Sequence, residues 1–186
     1  MEIKNYITTN NWFDYQNFYS EIAKNKYKIL VEVGVWKGHS ISFLSKKLKE
    51  QDYDFDLYGV DLFEQSEIYK NDGNEYLSEQ IPIIWEIYNY NLEINGVRNL
   101  IKDIKDYSWE ASKKFEDRSV DFVFLDADHS YESVKKDIES WLPKIKTGGM
   151  IAGHDYYNPC GVKRAVDELL PDMKINSDKI WTFKIK

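Results

Sequence analysis

Followed for its alternation of apolar and polar positions, the chain resolves into short apolar runs separated by amphipathic segments. KILVEVG (28–34), LYGVDL (57–62), NLIKDI (99–104), VDFVFLDA (120–127), MIAGH (150–154) and IWTFKI (180–185) are brief and mostly rich in β-branched or aromatic side chains. Such runs predict strands, and the ones without polar alternation predict strands covered on both faces. Between them, Ile41, Leu44 and Leu48 recur at helical spacing within 39–50. Ile84, Tyr88 and Leu92 do so after Pro82, and Val134, Ile138, Trp141 and Leu142 within 131–142. Val162, Ala165, Val166, Leu169 and Leu170 mark a further helix, and 108–116 a short one. Trp12, Tyr15, Tyr19 and Ile22 predict a first helix over the start of the sheet. Asn95-Gly96 reads as a helix end, and Gly148-Gly149 as a turn into the strand at 150–154.

Strands alternating with helices imply right-handed crossovers, hence an α/β fold with a mainly parallel, doubly wound sheet and helices on both faces. The last strand, arriving next to the terminus, is expected to insert antiparallel. With no internal repeat and no low-complexity linker, residues 1–186 are expected to form one domain.

Composition narrows the partners. A formal charge of −7 argues against a nucleic-acid binder, which needs a basic face, and only 24–28 and 46–49 concentrate lysines. One cysteine, Cys160, excludes an intramolecular disulfide and suits a reducing compartment. MEIKNYITTNNW has no apolar core of a leader, and no run approaches membrane-span length, so a cytoplasmic protein without membrane partners is expected. The aromatic first helix offers a face for a homodimer.

Two constellations carry chemistry. In VEVGVWKGHS (31–40), Gly34 and Gly38 lie between a strand and a helix, where backbone N–H groups can meet a ligand. Trp36 occupies the position of the second glycine of a dinucleotide fingerprint, which weighs against NAD or FAD and favours a nucleoside cofactor without phosphates. Asp61 ends the second strand, where a carboxylate can hold two ribose hydroxyls. The plainer alternative makes the glycines turn residues and Asp61 a cap. The second constellation is FLDADHSYES (124–133) with MIAGHDYY (150–157). If these strands are neighbours, Asp126, His154 and Asp155 converge as ligands for Mg²⁺ or Mn²⁺, the imidazole leaving room for Fe²⁺ or Zn²⁺. His129, three residues after Asp126, can act as general base. Here the plainer alternative has Asp128 and Ser130 capping a helix and Asp155 paired with Lys or Arg164. His39 is expected to face solvent or line the cofactor pocket.

DADHSYESV (126–134), GGMIAGHDY (148–156) and GVKRAVDE (161–168) stand in the order found in small class I S-adenosylmethionine-dependent methyltransferases, which the chain resembles over nearly its full length. The resemblance implies a seven-stranded Rossmann-like sheet with an antiparallel last strand and S-adenosyl-L-methionine at the carboxyl ends of the first strands. It implies cofactor contacts from Glu32, Gly34, Trp36, Gly38, Ser40, Asp61, Leu62, Ser108, Trp109 and Asp126. It is similar in further respects to metal-dependent O-methyltransferases, which implies metal ligands at Asp126, His154 and Asp155 and a base at His129. The departure is His154, where those enzymes usually carry an acidic residue. The implied reaction is methylation of a hydroxyl on a small molecule, a sugar or an aromatic, with Asp126 and His129 catalytic. Tyr69, Tyr76, Tyr156 and Tyr157 are expected in the acceptor pocket, built from 63–80 and 156–160. The alternative is a related domain that binds a nucleoside but catalyses another reaction or serves as a binding module.

Overall fold

The computed structural model describes residues 13–64, 81–157, 161–176 and 179–186. Seven strands form one sheet: β1 (Ile29–Val33), β2 (Asp56–Asp61), β3 (Ile101–Lys105), β4 (Val120–Leu125), β5 (Ile145–Gly153), β6 (Lys174–Asn176) and β7 (Ile180–Lys184). Their order is β3-β2-β1-β4-β5-β7-β6. The first five run parallel, and β7 lies antiparallel between β5 and β6. The doubly wound sheet and its antiparallel last strand are as the pattern predicts.

The helices are α1 (Gln16–Ala23), α2 (His39–Lys49), α3 (Ile84–Ile94), α4 (Ser108–Ala111), α5 (Tyr131–Trp141) and α6 (Val162–Leu169). No helix among the described residues is long and apolar enough to cross a membrane. Because β4 is central, all six of its residues are buried, and its side chains feed both faces. Phe122 and Phe124 join Tyr19, Leu30, Ile41 and Leu44 on one face. Val123 and Leu125 join Ile138, Trp141, Ile151 and Trp181 on the other. Phe18, Tyr19, Ile22 and Ala23 bury one stripe of α1, which makes it a cover for the sheet.

Three expectations shift. The first helix starts at Gln16, so Tyr15 precedes it as a cap residue, and Trp12 lies outside the described residues. β5 begins at Ile145 rather than after Gly148-Gly149. The two glycines sit inside the strand, with a register shift against β4 between the Val120 and Phe122 pairings that absorbs Gly148's positive φ. β6 went unread because its three residues are all exposed, so burial imposed no pattern on them.

The topology reverses at β1 and β4: the chain winds outward through β2 and β3 to one side, then through β5 to the other. Open α/β sheets bind ligands at the carboxyl edge beside such a switch point. Trp36, Phe63 and Asp155 follow β1, β2 and β5 there, and all three take positive φ (46°, 51° and 56°). Non-glycine residues in that region cost energy, and they cluster at functional sites.

Candidate active site

β1 delivers Glu32 and the glycine turn to the edge. Gly34 has φ +87°, and a Cβ there would lie 2.1 Å from the main-chain oxygen of Asp126. Its N–H donates to Val60 O at 2.8 Å, so the turn is clamped between β2 and β4. Gly38 (φ +80°) faces the protein instead: a Cβ would press on Tyr88 and Leu92 of α3 at 3.0 Å. Asp61 accepts the N–H of Trp36 at 2.9 Å on one oxygen and that of Phe63 at 3.0 Å on the other. Burial raises its pKa while these amides work to lower it. The carboxylate thus ties the β1 turn to the β2 turn, and Leu62, partly exposed, sits beside it.

Glu32 is fully buried and accepts a hydrogen bond from Ser40. Burial pushes its carboxyl up to about 8. Its other oxygen and the Tyr19 hydroxyl are buried without a well-directed hydrogen bond. One Glu32 oxygen and the Ser40 hydroxyl are thus spent on each other. Ser108 is similarly engaged, receiving the Trp141 indole N–H at 2.9 Å. Trp109 is partly exposed, stacked on Tyr107 at 4.8 Å, with the Lys136 ammonium 3.6 Å from its ring centre. His39 is half-buried against Phe13, with ring centroids 5.1 Å apart.

β4 and β5 pair in parallel register, Leu125 beside Gly153, so the residues that follow each strand meet. Asp126, His154 and Asp155 each offer one ligand atom, all within 4.8 Å of one another. Asp155 Oδ2 lies 3.2 Å from both His129 Nε2 and His154 Nδ1. Asp126 Oδ1 is 3.8 Å from His129 Nε2 and 3.9 Å from His154 Nδ1. The interaction with Asp126, supported by the charges of Asp155 and Asp128, raises the His129 pKa against the effect of burial. Burial pulls His154 down, but pairing with Asp155 and the charges of Asp126 and Asp14 outweigh it. His154 in turn holds the Asp155 carboxyl below its usual range. Asp128 contributes only its charge, because its oxygens accept bonds from the Ser130 N–H and from the Ser130 and Ser133 hydroxyls. With the Ser130 side chain accepting the Ser133 N–H, the capping alternative holds for that pair alone.

Residues 31–156, from β1 through this cluster, match a family described as a methyltransferase domain. The chain belongs to that family. The methyltransferase is also similar to solved structures. With the O-methyltransferase NovP it shares 17% identity, covering 92% of this chain and 79% of that one, with a TM-score of 0.69. With the S-adenosylhomocysteine-bound methyltransferase PaMTH1 of Podospora anserina it shares 14%, covering 92% and 77%, with a TM-score of 0.69. With CalS11, a TDP-rhamnose 3'-O-methyltransferase, the values are 15%, 91%, 76% and 0.61. At such identities the likeness is one of fold. A curated relative, the uncharacterized protein y4gI of Sinorhizobium fredii, is 41% identical over 46 residues, which span 25% of this chain and 5% of that protein.

Two residues of the candidate site, Asp14 and Tyr15, carry no mark of that role in the sequence. Asp14 Oδ1 lies 2.9 Å from His154 Nε2, and the Tyr15 hydroxyl donates to Asp126 Oδ2 at 3.0 Å. Both precede α1, more than a hundred positions from their partners, and only Tyr15 left a local signal, as an apolar position on a helix. Tyr156, expected in the acceptor pocket, is buried and donates to Asp167. Tyr157 is exposed, whereas Tyr69, Tyr76 and Cys160 lie outside the described residues.

Two carboxylates and an imidazole fit a transition ion of the Mn²⁺ or Fe²⁺ type better than Mg²⁺, which prefers oxygen. Asp61, with Leu62 and the Tyr107–Trp109 pair at the ends of neighbouring strands, offers a hydrogen-bond acceptor beside apolar surface, the kind of lining a nucleoside can use.

Proposed function

We propose that this methyltransferase binds S-adenosyl-L-methionine over the carboxyl ends of β1, β2 and β3 and methylates a hydroxyl of a small molecule held beside β4 and β5. The observation that carries this reading is the approach of His129 to Asp155, with Asp126 and His154 closing the cluster, at the edge that also bears the glycine turn. Support comes from NovP and CalS11, both O-methyltransferases of similar fold.

Asp61 binds the ribose, Leu62 and Trp109 flank the base, and the turn around Gly34 and Trp36 receives the amino-acid end. Glu32 and Ser40 stiffen that turn from behind. In the transfer step the acceptor oxygen attacks the methyl carbon, the carbon–sulfur bond breaks, and sulfur leaves as a neutral thioether. The hydroxyl proton passes to His129 Nε2. A divalent cation at Asp126, His154 and Asp155 would lower the hydroxyl's pKa as a Lewis acid. Most of the rate then comes from alignment and from the base.

Isothermal titration with S-adenosylmethionine, followed by turnover of the labelled methyl group on panels of sugars and phenols, tests the proposal. Micromolar cofactor binding and label on oxygen are expected. Absence of cofactor binding, or label found only on nitrogen or carbon, would refute it.

A further inference from the structure

We infer that Asp14 is a positioning residue that fixes which nitrogen of His154 faces the cation site, and so commits that site to an ion that accepts nitrogen. The inference rests on the cation reading of the Asp126, His154 and Asp155 cluster given above.

His154 is only 7% exposed, and its ring lies 5.1 Å from that of Tyr15. Burial and the aromatic neighbour leave it little freedom to turn. Nε2 is 2.9 Å from Asp14 Oδ1, and Nδ1 is 3.2 Å from Asp155 Oδ2. An ionised carboxylate only accepts hydrogen bonds, and a neutral imidazole has one donor and one acceptor nitrogen. Carboxylates thus flank both nitrogens: an imidazolium would serve both, whereas the neutral ring, the form that can ligate a cation, has a proton for only one. With the proton on Nε2, towards Asp14, the Nδ1 lone pair points at Asp155 Oδ2 and, 3.9 Å away, at Asp126 Oδ1. Three acceptor atoms facing one another repel unless a cation lies among them. Once it does, Asp14, imidazole and cation form the carboxylate–histidine–metal arrangement that orients ligating histidines and strengthens them as donors.

The neighbouring residue works the same way on a second ligand. Tyr15 donates its hydroxyl to Asp126 Oδ2, which leaves Oδ1 turned to His154 and His129. Two consecutive residues ahead of α1 therefore orient two of the three ligands. Imidazole nitrogen suits Fe²⁺, Zn²⁺ and their neighbours and is accepted by Mn²⁺ beside carboxylates, whereas Mg²⁺ prefers an all-oxygen shell. His154 as a ligand and Asp14 behind it are, on this view, one device.

The test uses the whole chain, titrated with Mn²⁺ and separately with Mg²⁺ by calorimetry, together with ¹⁵N ring shifts of His154 in cation-free protein. Mn²⁺ is expected to bind more tightly than Mg²⁺. Asp14→Ala should weaken Mn²⁺ binding on the order of ten- to a hundredfold and move the His154 proton off Nε2. Asp14→Asn, whose amide oxygen still accepts, should recover part of both effects and covers the case where the alanine variant folds poorly. In a His154→Asp background, Asp14→Ala should leave Mn²⁺ affinity undiminished, because no imidazole remains to be oriented. Wild-type affinity and unchanged ring shifts in Asp14→Ala would overturn the positioning role while leaving the cation reading intact. Tighter binding of Mg²⁺ than Mn²⁺ would overturn the selectivity. No binding of either ion by the wild type would bring down the cation reading itself, and this inference with it.

Discussion

The two halves of the sheet's carboxyl edge solve opposite problems. On the β1–β2–β3 side, several polar groups are met by the protein itself: Asp61 by two main-chain amides, Ser40 by Glu32, Ser108 by the Trp141 indole. On the β4–β5 side, carboxylates and imidazoles crowd together, with Asp155 Oδ2 at 3.2 Å from two ring nitrogens. The first half is rigid before any ligand arrives and needs only shape and a few exposed groups to receive one. The second half holds a surplus of negative charge that only a proton or a cation settles. Binding a cofactor and activating a nucleophile call for these different preparations.

The largest expected effect lies on the rigid side. Gly34→Ala would force a Cβ to 2.1 Å from the Asp126 main chain at φ +87°, so strand and turn must part. We expect a loss of about 3–5 kcal/mol and a melting temperature lower by roughly 10 °C, measured by thermal denaturation. A variant that melts with the wild type would show that the turn is not the clamp between the two halves.

Next comes a pair that separates the halves by function. His129→Ala is expected to lower turnover by about 10²–10⁴ while leaving the stabilisation by S-adenosylmethionine intact. Asp61→Ala should do the reverse at the first step, weakening cofactor binding about ten- to a hundredfold, because a charged hydrogen-bond partner contributes roughly 1.5–3 kcal/mol. Calorimetry and labelled-methyl assays on the two variants decide it, and equal loss of binding in both would erase the division.

The smallest effect is a pH dependence. Glu32 titrates at about 8 in the fold against 4.5 unperturbed. The folded state therefore keeps a proton that the unfolded chain releases, and stability falls as pH rises from 4.5 to 8. Asp137, buried and lifted to about 7, adds in the same direction. Glu32→Gln should flatten the fall in stability between pH 5.5 and 8, by at most a few kcal/mol, read from melting curves. Parallel curves for variant and wild type would mean the carboxyl is ionised in the fold.

Much of this was legible before any coordinates. The strands at β1, β2, β4 and β7 and the helices α2, α3, α5 and α6 follow from periodicity, because each must bury one face and the pattern of burial is written locally. Asp126, His129, His154 and Asp155 stood out as polar groups ending apolar runs, and β4–β5 pairing brings them together. The roles of Glu32, Ser40 and Ser108 were harder to read, since a polar residue at a strand end looks the same whether it meets a ligand or a neighbour. β6 left no trace, having no buried position.

What the sequence alone determined is the alternation of elements, the glycine turn, the acidic strand ends and the order of motifs that marks the family. What only the tertiary structure decided is who faces whom. Asp14 reaches His154 across 140 positions and Tyr15 reaches Asp126 across 111, and nothing in either neighbourhood announces the other. Periodicity records which residues leave water. Partnership between side chains depends on how separate strands register, and that is settled only when the sheet has formed.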